Sequence, residues 1–359
     1  MESANFGAQR DAGHFAPVNE PPATPGATEI LHRDGRATLS ALANGKRRLR
    51  VEMSRPGAYV RRAEWNTAYP DWLIQVVLEA KGLAYLCDEI MRDEDPNYIR
   101  KHVELTVTAH VDPQELAGGE VLDFGCGAGA STVILSKLLP SSNITGVELS
   151  EQNLSIARAR AEFYELHRTR LLLSPDEDAL PEGIGPFRAI MLSAVFEHLL
   201  PAERRTLLPM LWRLLEPGGV MFVDETPSRW FPIETHTTGL PFINYLPDGL
   251  AAAYARRCSR RVRRDHSWDV MCRNGIRGGS VTEILGLLPA ADGRPILLEP
   301  NRLGIKDPID LWFRGYTTEN GRVGAMKRQA APLLRMAARF VDSTSLVPYL
   351  SLAIRKASA

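Results

Sequence analysis

The stretch that decides the fold is VLDFGCGAGASTVIL, residues 121–135. An apolar run typical of a buried strand ends at Phe124, and three glycines follow at alternate positions: Gly125, Gly127 and Gly129. An apolar pattern with helical period comes next. Glycines at such a junction let the backbone turn tightly and approach a ligand without an intervening Cβ. The stretch therefore predicts a strand, a glycine loop and a helix at a ligand-binding edge.

Short apolar strands and helical segments alternate on the C-terminal side of this loop. Further strands are predicted over 143–150, 168–174, 187–195 and 219–226, with helices between them. Strands that alternate with helices through short connections form a parallel sheet with right-handed crossovers. The expected fold class is therefore α/β, with a doubly wound, mostly parallel sheet.

The N-terminal part of the chain differs in composition from this core. Residues 1–48 are rich in Gly, Ala, Pro and charge without a sustained apolar period, which predicts a mobile tail. Residues 49–115 carry apolar residues at spacings typical of amphipathic helices. We expect them to form a helical lead-in to a cofactor-binding core over 116–226.

The C-terminal part begins with a segment that breaks the alternation. Residues 227–290 are rich in Arg, Gly, Pro and aromatic residues, which predicts an inserted lid or substrate module after the fifth strand. Residues 291–359 are expected to complete the core. Within them, a helix is predicted over 324–343 and a closing strand over 346–357.

Charge and cysteine content exclude several classes of protein. The 359 residues include 43 Lys plus Arg and 43 Asp plus Glu, and nucleic-acid binders usually carry an excess of positive charge. No stretch approaches the roughly 20 apolar residues of a spanning helix, and no secretory signal is evident. The four cysteines are far apart, so neither a zinc module nor a disulfide framework is predicted. A reducing, cytoplasmic setting fits best.

An acidic residue follows the second predicted strand. Glu148 lies at that strand's end, where a carboxylate can accept hydrogen bonds from ribose hydroxyls. A dinucleotide would favour GxGxxG spacing, whereas this loop is GxGxG with Asp123 two residues before the first glycine. Because a carboxylate repels a diphosphate but suits a cationic amino-acid group, S-adenosylmethionine is favoured over a nicotinamide cofactor.

Taken together, these residues resemble the class I S-adenosylmethionine-dependent methyltransferase family, in its small-molecule branch. VLDFGCGAG is similar to the family's first motif, and GVELS contains its ribose acid. The segments PDEDALPEG (175–183), AIMLSAVFEHL (189–199) and LWRLLEPGGVMFVDE (211–225) are similar to its later motifs. The resemblance covers roughly residues 119–226 and the closing strand. It implies a seven-stranded sheet whose last strand is antiparallel.

The resemblance also implies roles for the glycine loop. Asp123, Gly125 and Gly127 would face the methionine half of the cofactor, and Gly129 would complete the loop. Cys126 lies inside the loop and is expected to be a small packed residue rather than a nucleophile.

Five further residues are implied to contact the cofactor. Glu148 would hold the ribose and Leu149 would pack on the adenine. Asp176 would accept a hydrogen bond from the adenine amino group, with the Glu177 backbone beside it. The alternative for Asp176 is a solvated acid in a run of three. Ser193, at the end of the fourth strand, would lie near the methyl donor.

The acceptor needs other residues. The sulfonium is already reactive, so the protein aligns the reactants and, for a hydroxyl acceptor, supplies a base or a cation. Glu197 and His198 directly follow the fourth strand, and an imidazole suits a general base. His236, in the aromatic segment 224–248, is a rival candidate for the base. Either histidine could instead cap a helix or a turn.

Two other features of the insertion remain open. Glu225, Glu234 and His236 could together hold a divalent ion, but their spacing matches no metal signature, so no metal site is predicted. The run ARRCSRRVRRD (255–265) carries six arginines, which could grip a phosphate or carboxylate on the acceptor. The alternative is a solvated face paired to acids elsewhere.

The predicted function is O-methylation of a small-molecule or glycan-like acceptor. N- or C-methylation of a natural product stays open because the fold does not determine the acceptor atom. A nicotinamide-dependent oxidoreductase and a non-catalytic S-adenosylmethionine-binding protein are the alternatives from other classes. Methylation of amino groups on nucleic-acid bases is disfavoured, because the fourth strand ends in SAVF and lacks an Asn/Asp-Pro-Pro-aromatic run. The oligomeric state cannot be deduced from the sequence.

Overall fold

A computed structural model describes residues 28–316 and 332–358. Its N-terminal part is a four-stranded antiparallel sheet of β1 (Thr28–His32), β2 (Gly35–Ala41), β3 (Arg47–Met53) and β4 (Glu64–Thr67).

The mobile tail predicted for residues 1–48 is therefore wrong for residues 28–48, and the lead-in is not purely helical. The reason is visible in β2 and β3, where apolar and polar residues alternate so that one face is buried. Residues 1–27 lie outside the described residues.

Four helices connect this small sheet to the core, as the sequence predicts for most of 49–115. They are α1 (Asp71–Lys81), α2 (Leu86–Glu94), α3 (Ile99–His110) and α4 (Pro113–Leu116). Apolar side chains of α1 and α2 pack with the buried face of β2 and β3 in one hydrophobic cluster. The N-terminal sheet and these helices thus form a cap beside the core.

The core is built from alternating strands and helices. In chain order they are β5 (Glu120–Phe124), α5 (Ala130–Leu138), β6 (Asn143–Glu148), α6 (Glu151–Phe163), β7 (Thr169–Leu173), β8 (Phe187–Ser193), α7 (Pro201–Leu214) and β9 (Leu215–Pro227). The sheet is completed by β10 (Pro295–Leu297) and β11 (Tyr349–Lys356).

The order of the strands in this sheet is β10-β11-β9-β8-β5-β6-β7. Neighbouring strands from β9 to β7 are parallel, and β11 runs antiparallel to both β9 and β10. The predicted fold class is confirmed, including the seven strands and the antiparallel last strand. Ser150 caps helix α6, since its side chain accepts a hydrogen bond from the Asn153 backbone N–H.

The segment after β9 folds into an insertion with its own small hydrophobic core. It contains α8 (Asp248–Cys258), α9 (Trp268–Arg273) and α10 (Val281–Leu287), and α11 (Pro308–Tyr316) follows β10. Of the helix predicted over 324–343, residues 324–331 lie outside the described residues and residues 332–337 are helical. In the described part of the chain, no helix has the length and apolar character needed to cross a membrane.

A buried ion-pair network fastens the cap to the glycine loop. The fully buried guanidinium of Arg160 on α6 lies 3.0 Å from both the Glu89 and the Asp93 carboxylates of α2. The same group donates a 2.6 Å hydrogen bond to the carbonyl of Ala128 in the loop. Because a buried charge must be paired, this network fixes the position of α2 against the loop.

Candidate functional site

The glycine loop between β5 and α5 has a left-handed backbone at all three glycines. The φ angles of Gly125, Gly127 and Gly129 are +69°, +54° and +83°. A Cβ at Gly125 would lie 2.7 Å from Val195, and one at Gly129 would lie 2.7 Å from Ala157. A Cβ at Gly127 would meet no atom of the described residues within 4 Å. The middle glycine therefore faces open space, where a ligand can approach the backbone.

Asp123 lies beneath this loop. Its side chain is buried, and its Oδ2 accepts hydrogen bonds from the hydroxyls of Ser131 (2.8 Å) and Thr132 (2.6 Å) in the first turn of α5. Burial raises the pKa of this carboxyl to about 6. These contacts tie the end of β5 to the helix, and the contact of Asp123 with a methionine group stays a prediction.

The Cys126 side chain is packed in the same layer. Its thiol is buried, and that burial raises its pKa well above the usual value. A thiol of this kind is a poor nucleophile, as the sequence predicts.

Glu148 joins the loop to the end of β6. Its Oε2 accepts a 3.0 Å hydrogen bond from the Gly127 backbone N–H, and its Oε1 accepts from the backbone N–H of Ser150. The carboxylate is half-buried, and the next residue, Leu149, leaves 48% of its surface exposed. A carboxylate and an uncovered apolar side chain thus lie next to the open side of Gly127.

The segment after β7 lies on the surface. The Asp176 carboxylate is exposed and accepts a 2.7 Å hydrogen bond from the backbone N–H of Glu177. The Glu177 carboxylate forms a 2.7 Å ion pair with Arg273 of the insertion. Ser193 ends β8, and the next residue, Ala194, has a φ of +53°. For a residue with a Cβ this conformation is strained, and such strain is common at functional sites.

Three sequence-predicted residues converge just after β8. Glu197, His198 and His236 each offer one nitrogen or oxygen atom, and these atoms all lie within 4.8 Å of one another. His198 Nε2 is 3.7 Å from Glu197 Oε1, and the two imidazole ring centres are 5.6 Å apart. From the sequence, His198 and His236 are alternative candidates for the general base, whereas the structure brings them together in one group. We call these three residues the Glu–His–His cluster.

The members of the cluster differ in burial and protonation. Glu197 is fully buried, and this burial raises the pKa of its carboxyl. Burial, together with the nearby His198 and Arg261, lowers the pKa of His236 to about 3. His198 is accessible, with 34% of its side chain exposed. At neutral pH the His236 imidazole is therefore neutral and weakly basic, whereas His198 can meet a ligand.

Neighbours from distant segments hold the cluster in place. The Thr226 hydroxyl, at the end of β9, donates a 3.1 Å hydrogen bond to Glu197 Oε2. His198 Nδ1 lies 2.6 Å from the backbone oxygen of Arg273. A Cβ on Gly275 would lie 2.8 Å from the His236 ring and 3.2 Å from Glu197. Sequence reasoning missed these three residues, because nothing in their local sequence shows that they contact the cluster.

The ion site considered over Glu225, Glu234 and His236 is not assembled. The Glu234 carboxylate accepts hydrogen bonds from the backbone N–H groups of His236, Thr237 and Thr238 and from the Thr238 hydroxyl, so it organises its own loop. Glu225 points elsewhere and lies 3.5 Å from His102 Nε2 on α3. This His102–Glu225 pair was also missed from the sequence.

A cleft lies between α3, α11 and the ends of β9 and β11. Its lining includes His102, Asp224, Trp312 and Tyr349. The Tyr349 ring packs edge-on against His236, with ring centres 6.4 Å apart. The cleft and the Glu–His–His cluster are therefore neighbours that share the Tyr349 ring as a wall.

The arginine run lies at the end of α8 and in the loop that follows. Arg256 and Arg261 donate 3.0 Å hydrogen bonds to the backbone oxygens of His266 and Thr235, and Arg263 pairs with Asp265 at 2.8 Å. These three arginines stabilise the insertion, which matches the structural alternative rather than the grip on an acceptor.

Comparison with known proteins identifies relatives for the core of the chain. Residues 121–219 match a family model described as a methyltransferase domain. The human "Ubiquinone biosynthesis O-methyltransferase, mitochondrial" is 28% identical over 135 residues, which are 37% of this chain and 36% of that protein.

Two bacterial relatives give similar matches. "Demethylmenaquinone methyltransferase" of Lactococcus lactis is 31% identical over 134 residues, 37% of this chain and 52% of that protein. "Carboxy-S-adenosyl-L-methionine synthase" of Chromohalobacter salexigens is 34% identical over 110 residues, 30% of this chain and 40% of that protein. The chain thus spans between 36% and 52% of the length of these three relatives.

Proposed function

We propose that this chain, which belongs to the class I S-adenosylmethionine-dependent methyltransferases, transfers the sulfonium methyl group to a hydroxyl oxygen of a small-molecule or glycan-like acceptor. Residues 121–219 carry the methyltransferase domain, and S-adenosylmethionine is the cofactor of that family. The proposal concerns the acceptor atom, the class of acceptor and the residues that act on them.

The cofactor is proposed to lie over Gly127. The open space above this glycine supports close approach of the methionine half to the loop backbone. Glu148 ends β6 beside it, where its carboxylate can accept hydrogen bonds from the ribose hydroxyls. The exposed side chain of Leu149 offers an apolar surface for the adenine, and Asp176 offers an acceptor for the adenine amino group. Ser193 ends β8, the strand next to β5, and is proposed to lie near the methyl donor.

The observation that carries the choice of a hydroxyl acceptor is the Glu–His–His cluster. It follows β8 directly, and a Cβ on Gly125 would touch the Val195 side chain of the same turn. The cluster therefore lies next to the glycine loop. A hydroxyl is a poor nucleophile until its proton is removed, and imidazoles at this position can remove it. The human relative named as an O-methyltransferase supports the same choice.

His198 is better suited than His236 to accept the proton. Its Nδ1 faces the Arg273 backbone oxygen, which can only accept a hydrogen bond, so Nδ1 carries the hydrogen and Nε2 carries the lone pair. His236 is more buried, and its lowered pKa of about 3 makes it a weak base. Glu197 Oε1 lies 3.7 Å from this same Nε2, so a carboxylate there attracts the positive charge of the imidazolium that forms.

The reaction then balances as a single displacement. A lone pair of the acceptor oxygen attacks the methyl carbon, the carbon–sulfur bond breaks, and its electron pair stays on sulfur. The acceptor proton passes to His198 Nε2, which later releases it to solvent. The products are the methyl ether and S-adenosylhomocysteine. Alignment of oxygen, carbon and sulfur supplies much of the rate enhancement.

The test compares His198→Ala with the wild type. We expect turnover of labelled S-adenosylmethionine on a panel of hydroxylated acceptors to fall by about 100- to 10,000-fold, because the general base is lost. Binding of S-adenosylhomocysteine, measured by calorimetry, should stay unchanged. His167→Ala, at an exposed position on the loop before β7, is the matched control.

Two results would contradict the proposal. Full activity of His198→Ala would remove this histidine from the reaction. A wild-type chain that binds S-adenosylhomocysteine but methylates no acceptor of any class would be a non-catalytic binding protein.

A further inference from the structure

We infer that the Glu–His–His cluster is a binding site for one divalent transition-metal ion, with Zn²⁺ as the best-matched ion. The site itself stands on the geometry of the cluster. Its role in turnover rests on the proposed function, because the ion would lie where the acceptor oxygen is expected.

The donor set has the composition of an open metal site. Two imidazole nitrogens and one carboxylate oxygen lie within 4.8 Å of one another. Zinc sites with two His and one Glu ligand keep a fourth position for water or substrate, and zinc binds these donors at about 2.0–2.2 Å. Two ligands of a tetrahedral ion at that distance lie about 3.4 Å apart. The 3.7 Å between His198 Nε2 and Glu197 Oε1 is close to this value.

Two buried polar atoms of the cluster residues have no hydrogen-bond partner among the described residues. These atoms are Glu197 Oε1 and His236 Nε2. The whole Glu197 residue is also buried. A buried polar atom without a partner costs about 1–3 kcal/mol, more when it is charged, so native structures seldom keep one without a reason. Both atoms belong to the same cluster, and a single cation between them would satisfy both.

The third donor is oriented as metal-binding histidines usually are. His198 Nδ1 lies 2.6 Å from the Arg273 backbone oxygen, which leaves the Nε2 lone pair on the side of the cluster. Histidine ligands typically donate their other ring N–H to a carbonyl or a carboxylate, which fixes both the tautomer and the ring. Arg273 is itself held by ion pairs to Glu177 and Glu203, so this orienting carbonyl is anchored.

The donor chemistry selects the class of ion. Mg²⁺ and Ca²⁺ prefer oxygen ligands, whereas two imidazoles favour zinc and its first-row neighbours. An ion with three protein ligands can take an acceptor oxygen in its open position and make it more acidic. The ion and a proton compete for His198 Nε2. The loaded protein would therefore activate the acceptor by coordination, and the metal-free protein by proton transfer to His198.

The experiment titrates the full chain, stripped with a chelator, with ZnCl₂ and separately with MgCl₂ in a calorimeter. We expect one Zn²⁺ per chain and much weaker binding of Mg²⁺. Glu197→Gln keeps the shape of the side chain but removes the anionic ligand, and His236→Gln removes a nitrogen ligand. Each should weaken Zn²⁺ binding by at least about 10-fold, and His167→Ala should not change it. Co²⁺ added in place of Zn²⁺ should give visible absorption bands that both cluster variants lose.

The outcomes separate this inference from the proposed function. Wild-type Zn²⁺ affinity in both folded cluster variants, or no binding to the wild type, would overturn the metal site. S-adenosylhomocysteine is titrated into each sample as a check that the variant is folded. Zinc binding without any methyl transfer would uphold the metal site while refuting the proposed function. If the chain binds no zinc and a chelator leaves methyl transfer unchanged, the metal site is refuted and the proposed function is upheld.

Discussion

Two neighbouring regions of the sheet edge are built in opposite ways. The cofactor edge, residues 123–148 with the glycine loop, comes from one continuous strand–loop–helix–strand unit. Its polar groups satisfy one another, as in the contact between the Gly127 N–H and Glu148. The acceptor edge, which is the Glu–His–His cluster with its neighbours, joins the turn after β8 to the insertion. Two buried polar atoms there have no hydrogen-bond partner within residues 28–316 and 332–358.

The difference indicates that the polar groups of the two edges are hydrogen-bonded to different extents. The cofactor edge is already organised, because the backbone N–H groups of its glycine loop donate to acceptors within the same strand–loop–helix–strand unit. In the described part of the chain, the acceptor edge keeps buried polar atoms without a hydrogen bond, and such atoms are expected where a ligand completes the site. The predictions below test each side of this comparison.

The largest effect is expected at the centre of the cofactor edge. Gly127→Val places a side chain in the open space above the loop, where the cofactor is proposed to lie. We expect the affinity for S-adenosylhomocysteine to fall by about 100-fold or more, because the side chain and the ligand cannot occupy the same volume. Isothermal titration calorimetry measures the change.

Gly118→Val is the matched control for this change. Gly118 also has a left-handed φ, +71°, and also has no atom within 4 Å of a built Cβ, but it precedes β5 at the opposite edge of the sheet. Both variants carry the same backbone strain, so only the first should lose affinity. Equal affinities in the two variants would remove Gly127 from the cofactor site and with it the contrast between the edges.

The sequence predicted the cofactor edge well, because its signals are local. The strands β5 to β9, with the helices between them, have strong periodic patterns. The glycine loop is part of the 15-residue stretch VLDFGCGAGASTVIL. The four N-terminal strands were not predicted because they are short and each buries only a few side chains, such as Leu39 on β2 and Leu49 on β3. Composition alone classed that segment as a tail.

The acceptor edge could be predicted only in pieces. Glu197, His198 and His236 each stood out as candidates, but their meeting depends on the path of the insertion. Gly275 and Arg273 complete the cluster from still further along the chain, and no local pattern connects them to it. Contacts between distant segments depend on tertiary packing, which periodicity and motif spacing do not encode.

A second prediction concerns how the buried Asp123 carboxylate at the cofactor edge changes the free energy of unfolding. Asp123 is buried, and its pKa is raised from 3.8 to about 6, so the folded state binds its proton more tightly than the unfolded state does. The carboxylate thus destabilises the fold at pH values above 6, and this effect disappears as the pH falls below about 4. Asp123→Asn should raise the free energy of unfolding by about 1–3 kcal/mol at about pH 7.5.

Urea denaturation of both proteins over this pH range measures the effect. The advantage of Asp123→Asn should shrink steadily as the pH falls, because the wild-type carboxyl gains its proton. Ser131→Ala removes one donor to the carboxylate and should lower stability most at the higher pH. An Asp123→Asn variant that is less stable than the wild type at about pH 7.5 would mean that the ionised group stabilises the loop.

The smallest effect is expected at the rim of the cofactor edge. Leu149 leaves 48% of its surface exposed, so Leu149→Ala should hardly change the stability of the free protein. If the adenine packs on this side chain, the lost apolar contact weakens S-adenosylhomocysteine binding by about 1 kcal/mol, or roughly fivefold. Leu31→Ala, on the exposed face of β1, is the control. Equal binding by both variants would place the adenine elsewhere, whereas a large loss of stability would make Leu149 part of the packed core.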